Sequence, residues 1–183
     1  SYSGTAVNFS LFNLSYDGNG ATGGQVPATQ SIPSGTTATV SDNTGSLVKT
    51  GYTFSKWNTL STGLGTDYLA GSTFPNSGTM SANQTLYAKW SANTYTVTWN
   101  SNGGSAVSPG TTSWTYATSL SLPAAPTRSG YSFNGWYTAS SGGSKVGDAS
   151  GSYTPTNTAN FSIYAQWSAN TYTVTWNSNG GSA

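Results

Sequence analysis

Few side chains in this sequence could take part in acid–base, nucleophilic or metal chemistry. The chain has no His and no Cys, and its only acidic residues are four Asp. It therefore lacks imidazole bases, thiolate nucleophiles and the ligands that most transition-metal sites use. Catalysis by paired carboxylates needs two acids held close together with separated pKa values, and nothing in the pattern pairs Asp17, Asp42, Asp67 or Asp148. We predict no catalytic residues, no cofactor and no metal site.

One short motif, the Asp-Gly-Asn-Gly of residues 17–20, resembles part of a calcium-binding loop. It lacks the further acidic ligands and the terminal Glu that such loops use. Asn and Gly both tolerate positive φ, so a hairpin turn between two strands is the simpler interpretation. Residues 100–104, Asn-Ser-Asn-Gly-Gly, are the counterpart in the second half of the chain and predict the same turn.

The composition argues against several kinds of partner. Only 5% of the residues are charged and the net charge is +1, so we expect no binding to nucleic acid. No apolar run approaches the roughly 18–20 residues that a transmembrane helix needs, and we expect no membrane insertion within this segment. Ser and Thr supply 61 of the 183 residues, but an aromatic content of 14% argues against disorder. Short strands joined by turns fit this composition.

Internal repetition is the strongest signal in the chain. Residues 90–106 read WSANTYTVTWNSNGGSA, and residues 167–183 repeat them without a change. Between these copies GYSFNGW (130–136) matches the earlier GYTFSKW (51–57). The matches predict four parts: residues 1–11, the end of a preceding unit or a leader strand; 12–94, a first repeat; 95–171, a second repeat; and 172–183, the first strand of a third, incomplete repeat.

The spacing of apolar residues predicts strands rather than helices. Tyr95, Val97 and Trp99 alternate with Thr, the pattern of a strand with one buried face. In GYSFNGW a bulge at Asn134–Gly135 would bring Trp136 back toward the core. Pro residues limit any helix to a short turn near residues 120–125. The fold class we predict is mainly β, or β-rich α+β, in small tandem modules with little or no helix.

The order of these motifs resembles that of a known family. YTVTWNSNGG (95–104), GYSFNGWYT (130–138) and IYAQW (163–167) resemble the Listeria–Bacteroides repeat, the B-repeat type of module found in internalin B. The resemblance implies compact β-grasp-like modules strung along bacterial surface or secreted proteins, with no catalytic residues. This location is the cell surface or the outside of a prokaryote. Only residues 91–94 separate the last strand of the first repeat from the first strand of the second, so we predict a non-enzymatic structural protein that forms a semi-rigid stalk, adhesin shaft or filament. The partners would then be neighbouring repeats or subunits of the same protein.

The aromatic residues leave a second function open. Six of the seven Trp recur in pairs at strand positions, and we predict that they are core residues: Trp57 with Trp136, Trp90 with Trp167, and Trp99 with Trp176. Trp114 has no aromatic counterpart in the first repeat. Together with Tyr116 and Tyr137 it is the candidate for an exposed contact with a surface glycan or a host receptor, because exposed aromatic rings stack on such ligands.

The last residues of the chain raise a separate question about association. Tyr172, Val174 and Trp176 would form the apolar face of a strand, and a lone strand is prone to associate. The strand could pack against the second repeat, the chain could continue beyond it, or it could insert into a neighbouring subunit by β-strand addition. In the last case TAVNFSL (5–11) would be a possible acceptor edge.

Overall fold

A computed structural model describes residues 10–181, which contain fourteen β-strands and no helix. The mainly β fold predicted from the sequence is confirmed. The first seven strands are β1 (Leu11–Asp17), β2 (Gln30–Pro33), β3 (Ala38–Thr39), β4 (Tyr52–Asn58), β5 (Asp67–Tyr68), β6 (Thr73–Phe74) and β7 (Gln84–Ala92). The other seven are β8 (Thr94–Asn100), β9 (Thr111–Thr115), β10 (Leu120–Ser121), β11 (Tyr131–Tyr137), β12 (Lys145–Gly147), β13 (Ser152–Tyr153) and β14 (Phe161–Ala169). Leu120 and Ser121, where the sequence allowed at most a short helical turn, pair with β13 instead.

The chain divides into two compact units that meet between Asn93 and Thr94. Each unit has one five-stranded sheet, with the order β2-β1-β7-β4-β5 in the first and β9-β8-β14-β11-β12 in the second. The first and last long strands of each unit lie side by side in the middle of the sheet and are parallel. Each unit also has a two-stranded sheet, β3 with β6 and β10 with β13. The predicted boundaries of the four parts stay predictions, and most of TAVNFSL lies outside the described residues.

Alternation along the central strands builds one core in each unit. On β8 the side chains of Val97 and Trp99 are buried, while those of Thr96 and Thr98 are exposed. Trp57 in the first core and Trp136 in the second are completely buried. Their indole N–H groups donate to the carbonyl oxygens of Ser41 and Pro123, at 2.9 Å and 3.1 Å. A buried Trp therefore adds apolar area without leaving a polar atom unpaired.

A β-bulge in each repeat precedes the buried Trp, which is Trp57 in the first repeat and Trp136 in the second. The register of β11 against β14 shifts between Phe133 and Gly135, as the sequence predicted. The register of β4 against β7 shifts in the same way between Phe54 and Lys56. At Gly135 φ is 128°, and an added Cβ would lie 2.9 Å from the carbonyl oxygen of Gly147. The extra residue reverses the alternation, so that Trp57 and Trp136 point into the core.

The predicted hairpin turns are present, but they do not form tight hairpins. Asn102 and Gly103 have positive φ, as a turn of this composition requires. However, β8 ends at Asn100 and its antiparallel partner β9 begins only at Thr111. The prediction of a short hairpin is therefore wrong. The turn does not join two paired strands directly, and its Asn102 side chain instead binds the last strand of the repeat.

Candidate functional sites

The turn that follows the first strand of each repeat is built by its own side chains. In the first repeat the backbone N–H of Asn19 donates to Oδ1 of Asp17 at 2.7 Å. In the second repeat the N–H of Asn102 donates to Oδ1 of Asn100 at 2.8 Å. In each turn this side-chain oxygen thus serves as an acceptor for the backbone two residues on, the geometry of an Asx turn. A structural turn therefore explains the motif that resembled a calcium loop.

The second Asn of each turn fastens it to the last strand of the repeat, an arrangement that we call the turn clamp. Nδ2 of Asn19 donates to the carbonyl oxygens of Ser61 and Ala88, at 2.8 Å and 2.9 Å. Nδ2 of Asn102 donates to those of Ser140 and Ala165, at 2.7 Å and 3.0 Å. Sequence reasoning missed this role, although the same Asn before a Gly in both repeats was the available signal.

A cation and a Trp complete each turn clamp. Lys49 Nζ donates to the carbonyl oxygen of Asn19 at 3.4 Å, and Arg128 Nη1 donates to that of Asn102 at 3.3 Å. Each cation also lies over the ring of a Tyr that follows it, at 5.0 Å for Tyr52 and 4.0 Å for Tyr131. The indole N–H groups of Trp90 and Trp167 donate to carbonyl oxygens of the turns, both at 3.0 Å. Matched residues of the two repeats thus form the same hydrogen bonds to the turn and stabilise it.

The first repeat has a charged cluster in which one Asp lies between two Lys. Asp67 accepts hydrogen bonds from Asn58 Nδ2 at 2.6 Å and Lys89 Nζ at 3.0 Å, and Lys56 Nζ lies 3.3 Å away. The Asn58 hydrogen bond, followed by the lysines, lowers the pKa of Asp67 to about 2. An ionised acid between two cations is poorly suited to proton transfer at neutral pH. We interpret this cluster as a structural brace.

In the second repeat a Lys lies at the position of Asp67, and this Lys145 forms an ion pair with Asp148, Nζ to Oδ1, at 2.6 Å. Tyr137 pairs with Lys145 and Tyr164, as Asn58 pairs with Asp67 and Tyr87. The position of Lys89 is taken by Gln166, whose Nε2 donates to the carbonyl oxygens of Ala139 and Gly142. Among the described residues no group of three His, Cys, Asp or Glu could hold a metal ion. The two repeats therefore brace the same loop by different chemistry.

Trp114, the predicted exposed contact, is a core residue. Its side chain is 2% exposed, and its indole N–H donates to the carbonyl oxygen of Thr118 at 2.9 Å. It lies opposite Tyr95 on the neighbouring strand, as Ile32 lies opposite Phe12 in the first repeat. The expectation of exposure is wrong, because it depended on the missing aromatic counterpart. An apolar counterpart, Ile32, was sufficient to indicate a core position.

Tyr116 and Tyr137 are half-buried and lie apart in the sheet. Tyr116 follows the edge strand β9, with its ring centroid 5.9 Å from that of Trp114. Tyr137 ends β11, three strands away in the order β9-β8-β14-β11. Three strand spacings are about 14 Å. Tyr137 therefore does not share a binding site with Trp114 and Tyr116. A role of either Tyr in ligand binding stays a prediction.

The terminal segment, which we define as residues 171–181, exposes the apolar residues that were expected to form a strand face. Tyr172, Val174 and Trp176 are 73%, 70% and 90% exposed. No strand is formed at residues 171–178, so packing of this face against the second repeat is not observed. The prediction that Trp176 is a core residue is wrong, although its sequence context equals that of Trp99. Its turn is formed, since the N–H of Asn179 donates to Oδ1 of Asn177 at 2.8 Å.

Known proteins resemble the chain over most of its length. The chain is similar to a Gly-rich protein of Evansella cellulosilytica that is provisionally named as a membrane protein. The two are 39% identical over 171 residues, which is 93% of the chain. Internalin H of Listeria monocytogenes is 37% identical over 122 residues, 67% of the chain. The chain spans only 19% and 20% of the length of these two relatives. The described residues form no helix that is long and apolar enough to cross a membrane.

The family comparison matches both repeats separately. The model of the Listeria-Bacteroides repeat domain matches residues 12–89 and again residues 95–166. These two matches cover most of the five-stranded sheet of each unit and the Asn and the cation of each turn clamp, and they end one residue before Trp90 and Trp167. They account for the paired motifs, the repeated bulge and the repeated parallel pair of strands. The chain therefore belongs to the Listeria-Bacteroides repeat family and carries two copies of its domain in tandem.

Proposed function

We propose that this chain is a non-enzymatic structural segment of a prokaryotic surface or secreted protein, part of a semi-rigid stalk, adhesin shaft or filament. The observation that carries the proposal is the connection between the repeats. Strand β7 ends at Ala92 and β8 begins at Thr94, which leaves one residue between them. A single residue spans less than about 4 Å. Such a connection has few ways to bend, unlike a linker rich in Gly and Ser.

Hydrogen bonds also hold that one residue. The N–H of Asn93 donates to the carbonyl oxygen of Gly51 at 2.9 Å, and its Oδ1 accepts from Thr53 Oγ1 at 2.6 Å. Asn170, at the end of the second repeat, donates its N–H to Gly130 and accepts from Ser132 Oγ in the same way. Each repeat therefore fixes the residue at which it ends. This supports a defined junction that recurs along a series of repeats.

Surface location is supported by the relatives and by the composition. One relative is named an internalin and another is provisionally named as a membrane protein. A surface rich in Ser and Thr with few charges binds ions and polyions weakly. We further propose a β-grasp-like description of each repeat, supported by the parallel first and last strands at the centre of each sheet.

Distances between spin labels in the two repeats test the proposed junction. Cysteines at exposed Thr37 and Ser113 would carry the labels, since the chain has no other Cys. We expect a narrow distance distribution for the native junction. The matched control inserts Gly-Ser-Gly-Ser after Asn93 and should broaden it strongly. If the native chain gives a distribution as broad as the control, the semi-rigid stalk is wrong.

We also propose that the terminal segment can add to a second copy of the chain as a β-strand. The exposed apolar side chains of Tyr172, Val174 and Trp176 support this, since residues 171–178 form no strand within the chain. Sedimentation of the chain over a range of concentrations should show self-association that Trp176→Ser weakens. A monodisperse monomer at high concentration would rule out strand addition. Glycan or receptor binding through Tyr116 and Tyr137 remains the alternative function.

A further inference from the structure

Each repeat has a pocket at the same place in its fold, which we call the sheet-end pocket. It lies where β4, β5, β6 and the start of β7 meet in the first repeat, and where β11 to β14 meet in the second. Thr59 and Thr138 occupy one matching position, and Phe74 and Tyr153 another. The volumes are about 330 and 390 Å³. Pockets that hold small ligands have about 300–1,000 Å³, so each could hold one small ligand.

The polar groups around the pocket are neutral and have hydrogens to donate. Oγ1 of Thr138 accepts from the N–H of Ser144 at 3.0 Å, which leaves its own O–H available. Oγ1 of Thr59 accepts from the N–H of Thr66 at 2.9 Å in the first repeat. Oδ1 of Asn160 accepts a hydrogen bond from the backbone N–H of Thr96 at 2.8 Å. The side-chain NH₂ group of Asn160 therefore remains as the donor. No lining residue of either pocket is charged.

The aromatic lining differs between the two repeats. Tyr153, Phe161 and Tyr164 of the second pocket are half-buried and keep part of their rings exposed. In the first pocket Tyr68 and Phe74 are only 5% and 4% exposed. The second pocket therefore combines exposed ring surface with hydroxyl and amide donors. The first pocket keeps the neutral polar rim but offers little ring surface.

We propose that the sheet-end pocket of the second repeat binds a neutral saccharide unit. A sugar ring has an apolar face of C–H groups and a rim of hydroxyls, which match exposed rings and neutral hydrogen-bonding groups. A phosphate or a uronic acid would find no cation there to offset its desolvation. The pocket of the first repeat is the internal comparison, and we expect it to bind the same unit at least tenfold more weakly.

Titration of the whole ¹⁵N-labelled chain with neutral disaccharides tests this inference. The probes are maltose, cellobiose, lactose and N,N′-diacetylchitobiose, each raised to about 10 mM, which would nearly saturate a site with a Kd of 1 mM. At least one probe should give saturable amide shifts centred on Thr138, Asn157 and Tyr164. Cellobiouronic acid, the charged counterpart of cellobiose, should bind more weakly than the neutral probes. The absence of saturable shifts with all four neutral probes, or stronger binding of the acid, would overturn the proposal.

Two substitutions locate the binding within the second repeat. Asn157→Ala removes an exposed amide of the pocket, and Tyr164→Ala removes a ring; each should weaken binding at least tenfold. Tyr116→Ala separates this pocket from the alternative contact, because Tyr116 is a half-buried Tyr of the same repeat that does not line the pocket, and we expect this variant to bind as the native chain does. Thermal unfolding of each variant verifies that the second repeat is folded. Loss of binding in Tyr116→Ala with full binding in Asn157→Ala would place the ligand elsewhere and contradict the proposal.

Discussion

The same seventeen residues occur twice in this chain, and the described parts of the two copies differ in structure. In residues 90–106 the stretch Thr94–Asn100 forms the central strand β8, whereas residues 171–178 form no strand. Val97 is completely buried and its counterpart Val174 is 70% exposed. Trp99 is 5% exposed and its counterpart Trp176 is 90% exposed. Since the sequences are identical, the difference arises from what surrounds them.

The parts that form in both copies are those that depend on local contacts. The Asx turn has the same hydrogen bond in each copy, 2.8 Å at Asn102 and 2.8 Å at Asn179. Strand β8 instead pairs with β9 and β14, and its partner residue Phe161 lies far along the chain. A turn can be specified by a few adjacent residues, but a strand needs a sheet to pair with. Alternating apolar residues therefore predict a capacity to form a strand, and tertiary partners decide whether it forms.

The largest effect that would sharpen this comparison is expected from the paired Trp residues. Trp99→Ala should destabilise the second repeat by about 3–5 kcal/mol, as for other buried large-to-small changes. The substitution also removes the ring contact between Trp99 and Trp136, whose centroids lie 5.4 Å apart, and the hydrogen bond that the Trp99 indole donates to Thr112. Trp176→Ala, the same change in the same local sequence, should stay within about 0.5 kcal/mol of the native chain. Denaturant unfolding of the two variants would measure both, and equal losses would break the comparison.

A smaller effect is expected from the Asn of the turn. Asn102→Ala removes two hydrogen bonds that join the turn to the last strand of the second repeat. We expect a loss of about 1–3 kcal/mol, because the carbonyl oxygens of Ser140 and Ala165 then lose the side-chain N–H groups that donate to them. Asn179→Ala should have no measurable effect on unfolding. A similar loss from both changes would show that the turn acts through local geometry alone.

The smallest effect extends the comparison to the two folded repeats and depends on pH. The pKa of Asp67 is about 2 in the folded first repeat, against an ordinary value of 3.8. Because the folded pKa is lowered, the stabilisation is present above about pH 4 and is lost as the pH falls toward 2. Asp67 is 35% exposed, so we expect less than about 1 kcal/mol. In separate unfolding curves the first repeat should lose stability over this window, and Asp67→Asn should remove that loss. An unchanged pH dependence in Asp67→Asn would contradict the brace.

Sequence reasoning predicted the features that repeat or alternate. The mainly β fold, the bulge at Asn134–Gly135 and the core positions of Trp57 and Trp136 followed from spacing alone. It was wrong for Trp114, because a position in the core can be aromatic in one repeat and aliphatic in another. It was wrong for Trp176, because burial depends on strands that the local sequence does not contain.

The contacts of the candidate sites were beyond the reach of the sequence for a related reason. The turn clamp joins Asn102 to Ala165, and the sheet-end pocket brings Thr138 together with Phe161. Such pairs are distant in sequence, and no local pattern states which of them meet. The sequence shows an Asn at both 19 and 102 and a cation at both 49 and 128. Only the structure shows that each cation donates a hydrogen bond to the Asn of its own repeat.

Hydrogen exchange of the two identical strands tests the central claim most directly, namely that partners rather than local sequence determine the strand. The measurement compares amides of residues 94–100 with those of residues 171–177 in the intact chain at low concentration. We predict strong protection for the first set, including Trp99, whose N–H donates to Gly110 at 2.9 Å, and exchange close to the unfolded rate for the second. Equal protection of both sets at low concentration would contradict the account.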